Sequence, residues 1–176
     1  MAEIEIHAGH EHAADEYAKR VSVAVGVIGI VLAIVTIASH RAHTAAVIFR
    51  TEANDQWAFY QAKKVREHLM DVGASLAATL SAKDPDKAQQ LVSQLSKEHD
   101  RYDKDAKDLQ REAQTRESAS HREEDRALRL DLGEGLLELG LVLTSLYFLS
   151  RQRLFPTLGG VAALAGAAVA ATNWFV

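Results

Sequence analysis

The sequence has no cysteine and only two prolines in 176 residues. Without thiols, disulfide frameworks, thiolate zinc sites and cysteine nucleophiles are excluded. The prolines are Pro85 and Pro156, so none interrupts the chain from Ala14 to Ser81 or from Asp86 to Ser150. Glycine is scarce wherever the chain is polar, and between positions 40 and 131 only Gly73 occurs. Charge is missing altogether from Val21 to Ser39 and again from Leu154 to Val176. A strongly basic balance is missing too, since the net charge is −4 and no block carries a large positive excess. Nucleic acid is therefore not an expected partner.

The charges that exist are crowded together. Sixteen of the 20 Lys and Arg residues and seventeen of the 24 Asp and Glu residues fall in 41–131. The runs on either side read as membrane spans. Residues 21–39, VSVAVGVIGIVLAIVTIAS, are long enough to cross a ~30 Å hydrocarbon core as a helix. A cleaved signal peptide is the competing reading, but the preceding residues 1–20 are acidic rather than basic. Residues 154–176 form another apolar span, ending with Trp174 and Phe175 where an interfacial aromatic belt would sit. Residues 132–150 are apolar apart from Glu134 and Glu138, and with Arg151 and Arg153 after them they suit a short helical hairpin in the bilayer.

The expected fold class is all-α, with three transmembrane helices and a long antiparallel, coiled-coil-like helical hairpin over 40–131. Its turn is placed near 81–85, where Asp84 can cap a helix and Pro85 can take the first helical position. On the outgoing arm Ala58, Ala62, Val65, Leu69, Val72 and Leu76 follow heptad steps, as do Val92, Leu95, His99, Tyr102, Ala106, Leu109 and Ala113 on the return arm. These two rows are the expected seam. Arms of this length reach roughly 60 Å at 1.5 Å per residue, unless the polar region folds back as a compact bundle. The stretch 110–126 has almost no apolar residue beyond Ala113 and Ala119, and is expected to be hydrated, mobile or packed on another subunit.

The stretch TEANDQWAFYQAKKVREHL (51–69) resembles the signature of a bacterial membrane family, domain-of-unknown-function family 4337. Asn54, Asp55, Trp57, Tyr60, Gln61, Ala62 and Lys63 carry the likeness. The tail is similar as well: VLTSLYFLS, the pair Arg151 and Arg153, then a Gly/Ala-rich span. Glu138 departs from the uncharged polar residue expected there. The resemblance covers most of 20–165 and implies three spans with a helical region between the first two. It supplies no activity.

Several residues could carry function. Asn54, Trp57, Tyr60, Gln61 and Lys64 lie close on one helix surface and read as a packing or partner face. Glu134 and Glu138 are one turn apart, and carboxylates inside a bilayer are costly. Glu138 is expected to be buried in protein and Glu134 to sit near water. Thr36, Ser39, His40, Thr172 and Asn173 are the polar residues expected at their depth. Small residues recur every four positions at Ala162, Gly166 and Ala170 and at Gly159 and Ala163, spacing that lets helices approach closely within one chain or between copies.

For metal, the candidates are His7, His10 and His12 in the N-terminal segment and His68 facing His99 across a fold about residue 83. Solvated polar residues are the alternative. There is no glycine-rich phosphate loop, no His-Glu-x-x-His and no nucleophile elbow, so neither enzymatic activity nor a cofactor is expected.

The expected role is structural: a self-associating scaffold, or an accessory subunit of a larger membrane complex, with lipid and further copies of itself as partners. The alternative is a small oligomeric ion channel or proton/cation transporter using Glu138. The expected location is the bacterial inner membrane. Arg151 and Arg153 lie in a very short link, and long loops translocate largely regardless of charge, so the hairpin is placed in the periplasm.

Overall fold

A computed structural model describes residues 5–79 and 84–175, with side chains over 16–79 and 84–173. Two long helices dominate, α1 (Glu5–Thr79) and α2 (Pro85–Ser145). A single turn, α3 (Tyr147–Ser150), leads to α4 (Leu154–Ala171) and a closing 3₁₀ turn over Thr172–Phe175. Three helical stretches are long and apolar enough to cross a membrane: Glu16–Thr79, Pro85–Ser150 and Leu154–Ala171. Among the described residues there is no strand.

The breaks fall where backbone chemistry puts them. Leu80, Ser81, Ala82 and Lys83, part of the expected turn, lie outside the described residues. On its far side the Asp84 carboxylate accepts the Lys87 N–H at 3.2 Å, and Pro85 opens α2, where its missing N–H costs nothing. At the end of α3, Arg151 adopts a left-handed conformation (φ 55°) and its N–H donates to the Tyr147 carbonyl at 2.8 Å. That geometry stops the helix. Pro156 falls within the first turn of α4, where backbone N–H groups have no intrahelical acceptor.

The chain divides into two compact units. The first comprises 1–44 and 123–176, the second 45–122. In the first, Ile28, Val35 and Ala42 of α1 pack with Ala127, Leu130 and Leu137 of α2 and Ala163 of α4. Tight contact between α2 and α4 comes from glycine. A Cβ on Gly140 would lie 2.8 Å from the Ala163 nitrogen, and one on Gly133 would lie 2.9 Å from the Gly166 carbonyl oxygen. Dispersion between closely approaching backbones is the attraction that holds such helices together wherever lipid supplies no hydrophobic drive.

The second unit is an antiparallel helix pair, an outgoing arm from α1 and a return arm from α2. Opposite residues are disposed about position 83 as expected: Ser120 donates to the Ala46 carbonyl at 3.0 Å, and Glu67 lies 3.5 Å from His99. The return-arm row from Val92 to Ala113 is buried or half-buried along its length. Burial continues through Arg116 and Ser120, so the polar stretch that opens at 110 stays in the seam by using small or ion-paired residues.

The outgoing arm differs from expectation. Ala58, Ala62, Val65, Leu69, Val72 and Leu76 are all exposed. The buried row is Ala46, Phe49, Ala53, Gln56, Tyr60, Lys63, Glu67, Met70, Ala74 and Ala77, which keeps the same three-four spacing on another face. Two of its charged members have partners, whereas the buried Gln56 Oε1 has none among the described residues. Lys63 Nζ meets Asp105 at 2.7 Å and sits 5.2 Å from the centre of the Tyr102 ring, while Glu67 meets Lys64 at 2.6 Å. Hydrophobicity alone therefore selected the wrong face.

Candidate functional site

In the first unit, polar side chains form a ladder between α1 and α2. Thr36 Oγ1 donates to Glu134 at 2.7 Å, Ser39 Oγ donates to Asp131, and His43 Nε2 meets the other Asp131 oxygen at 2.9 Å. Ser39 is buried, and Glu134 and Asp131 are half-buried. Each carboxylate thus has a hydroxyl from the facing helix, the type of pairing that makes a carboxylate tolerable near hydrocarbon. Of the residues expected at this depth, Thr36 and Ser39 join the ladder. His40 is exposed, makes no side-chain hydrogen bond to the ladder, and its backbone carbonyl accepts from Thr44 at 2.8 Å. Thr172 donates to the Val169 carbonyl, and Asn173 accepts from Arg126 at 3.2 Å. Asp131 and His43 were missed as ladder members. Their disposition about position 83, close to that of Glu134 and Thr36, was the available signal.

The glutamates exchange the places expected of them. Glu134 lies on the packed face of α2, in step with Leu130, Leu137 and Leu141. Glu138 is one position beyond Leu137 and turns outward, exposed beside Gly135, Leu139 and Val142. It makes no hydrogen bond or ion pair with the described residues. Helical phase explains the difference: the contact face runs through 130, 134, 137 and 141, and Glu138 stands ~100° round the helix from Leu137, off that face.

The small residues of α4 act within the chain. Gly159, Ala163 and Gly166 are buried, with Ala170 half-buried, and all four approach α2 through Thr144, Gly140 or Gly133. Ala162 is half-buried. Beside this contact runs an apolar groove of about 690 Å³, lined by Val23, Val27 and Val31 of α1 and Gly160, Leu164 and Ala167 of α4, with Glu16, Lys19 and Arg20 also in its lining. Near the α3–α4 link, Tyr17 stacks edge-on to the buried Tyr147 at 5.1 Å, and the Arg153 guanidinium lies 5.0 Å from the Tyr17 ring centre.

In the second unit Asn54, Trp57 and Tyr60 of the aromatic-amide face stay together, while Lys64 turns to an ion pair and Gln61 to the surface. Asn54 and Trp57 line a small pocket of about 80 Å³ with Arg50, Glu117 and Ser120. Trp57 and Tyr60 meet edge-to-face at 5.5 Å, Lys64 pairs with Glu67, and Gln61 is exposed. For metal, His68 is exposed whereas His99 turns toward Glu67, Asp71 and Asp100, so the two histidines do not share a site. Among the described residues no group of three or more His, Cys, Asp or Glu is placed to hold a metal ion. The side chains of His7, His10 and His12 lie outside the described residues.

Electrostatics in this unit are local. The hydrogen bond to Asp100 raises the His99 pKa above its ordinary value of 6.5, with Asp71 and Glu67 adding attraction. Lys63 holds the Asp105 carboxyl below the usual carboxylate range, and Lys107 does the same for Asp103.

The chain belongs to the family described as a domain of unknown function (DUF4337), whose match covers residues 17–176. No curated protein and no solved structure matches it.

Proposed function

We propose that this chain is an integral membrane structural protein of the bacterial inner membrane that self-associates, serving as a scaffold or as an accessory subunit of a larger membrane complex. Glu138 carries the reading. It stands in a segment apolar enough to span a membrane, exposed beside Leu139 and Val142, and its carboxylate has no hydrogen bond or ion pair among the described residues. An ionised carboxylate facing hydrocarbon is unfavourable by about 2.5 kcal/mol or more on insertion scales, and such groups face protein or water instead. A further copy laid against this face of α2 supplies that protein. The role is structural rather than enzymatic, and it calls for no cofactor.

Cross-linking tests it. Because the chain has no cysteine, Leu139→Cys provides a single thiol beside Glu138. In native membranes it should form a disulfide-linked dimer, whereas a thiol that never links and is fully alkylated by a lipid-soluble maleimide would contradict the reading. A second reading rests on the same residue: Glu138 from several copies lines a proton or cation path. Flux through reconstituted liposomes that disappears in Glu138→Ala supports that reading, and normal oligomers without flux support the scaffold.

A further inference from the structure

The outgoing arm presents a second, independent surface. Val65, Leu69, Val72 and Leu76 are 60%, 58%, 52% and 57% exposed. With Ala58 and Ala62 they form one row at steps of four, three, four, three and four, the spacing of a coiled-coil seam. The arm's own seam lies on another face, so none of the described residues of the second unit covers this row.

The row also has the shape of a coiled-coil receptor. An open hollow of about 480 Å³ is lined by Val65, His68, Leu69 and Val72, with Lys64 at its edge. Those first four positions are i, i+3, i+4 and i+7, the four residues that form one hole for a knob from a facing helix. The occupant this geometry asks for is a helix carrying apolar knobs at heptad spacing.

We propose that the row Ala58–Ala62–Val65–Leu69–Val72–Leu76 packs against the same row of further copies of this chain. The inference rests on the self-associating reading and adds an interface outside the spans. The row supplies both knobs and holes at one spacing, so it is complementary to itself without any other partner. Copies inserted in one orientation are related by rotation about the membrane normal, which keeps equal-numbered residues level. In that parallel register Ala62, Leu69 and Leu76 take the a positions, and Ala58, Val65 and Val72 take the d positions. Leucine at a with a β-branched residue at d shifts parallel coiled coils from two strands toward three or four. At the flanks, Gln61 falls at g and Arg66 at the following e, so the Gln61 carbonyl oxygen can accept from Arg66 of the next copy.

The test uses the full chain in lipid nanodiscs. Leu69→Cys and Leu76→Cys should each link to their own counterparts under mild oxidation, whereas Lys104→Cys, exposed on the return arm, should not. The double variant Leu69→Glu/Val72→Glu should keep its helical circular dichroism, because neither side chain is buried, and should lose mass or dissociate at dilutions the parent survives. Cysteines at 69 and 76 that link no more than the one at 104, with a double variant matching the parent's mass at every dilution, would overturn the row while leaving association through the spans intact. A parent that runs as a single chain would overturn both and assign the row to a different protein.

Discussion

Lys63 on the outgoing arm and Asp105 on the return arm meet at 2.7 Å within the seam of the second unit. A charged pair here sets register, since sliding either arm by one residue would separate the two groups. Lys63→Ala and Asp105→Ala should each lower the thermal midpoint of the detergent-solubilised protein. The exchanged variant Lys63→Asp/Asp105→Lys should recover most of that loss. An exchanged variant less stable than both single variants would show that the pair is incidental.

His99 should give the same unit a pH dependence. Its pKa is raised in the folded chain, first by the hydrogen bond to Asp100 and then by Asp71 and Glu67. A raised value means that the folded state holds the proton more tightly. The contribution is therefore complete below the unfolded value of 6.5 and is lost as pH climbs through the higher folded value. Thermal midpoints of the parent and of His99→Gln should differ most near pH 5.5 and converge near pH 8.5. A gap that stays constant over this range would contradict the assignment.

Glycine at the α2–α4 contact should be far less replaceable than glycine elsewhere in the spans. A Cβ at Gly140 would meet the Ala163 nitrogen and the Gly159 carbonyl oxygen, both at 2.8 Å, whereas one at Gly160 would meet nothing within 4 Å. Gly140→Ala must push two backbones apart, at a cost of about 1–3 kcal/mol. Gly160→Ala should be neutral or gain about 0.5–1 kcal/mol from helix propensity. Chemical unfolding in mixed micelles distinguishes the two, and equal stability of both variants would refute the close contact.

Topology can be read with one further thiol. We propose, from the short link carrying Arg151 and Arg153, that this link faces the cytoplasm and the second unit the periplasm. Asp86→Cys, at the exposed start of α2, should react with a membrane-impermeant maleimide in intact spheroplasts. Labelling only after lysis would reverse the orientation and make the second unit a cytoplasmic element.

Much of this architecture was legible before any coordinates. The missing prolines fixed the lengths of α1 and α2, Asp84 and Pro85 marked the start of α2, and the return-arm row was read correctly. The outgoing seam was not legible by hydrophobicity. Lys63 and Glu67 occupy it, and a charged residue becomes a good seam residue only once its partner across the pair is known. Asp105 and His99 are such partners, and they lie 42 and 32 positions away in the chain. The Glu134–Glu138 exchange has a related origin. Charge and spacing placed both carboxylates on one helix side, but only the packing of Leu137 and Leu141 shows which of them turns inward.

The central claim is self-association, and the native mass of the full chain in lipid nanodiscs tests it most directly. The account predicts particles holding more than one copy, at protein concentrations where accidental co-capture is negligible. Glu138→Leu, which removes the need to cover a carboxylate, should shift that distribution toward fewer copies. Particles holding a single chain, for parent and variant alike, would contradict it.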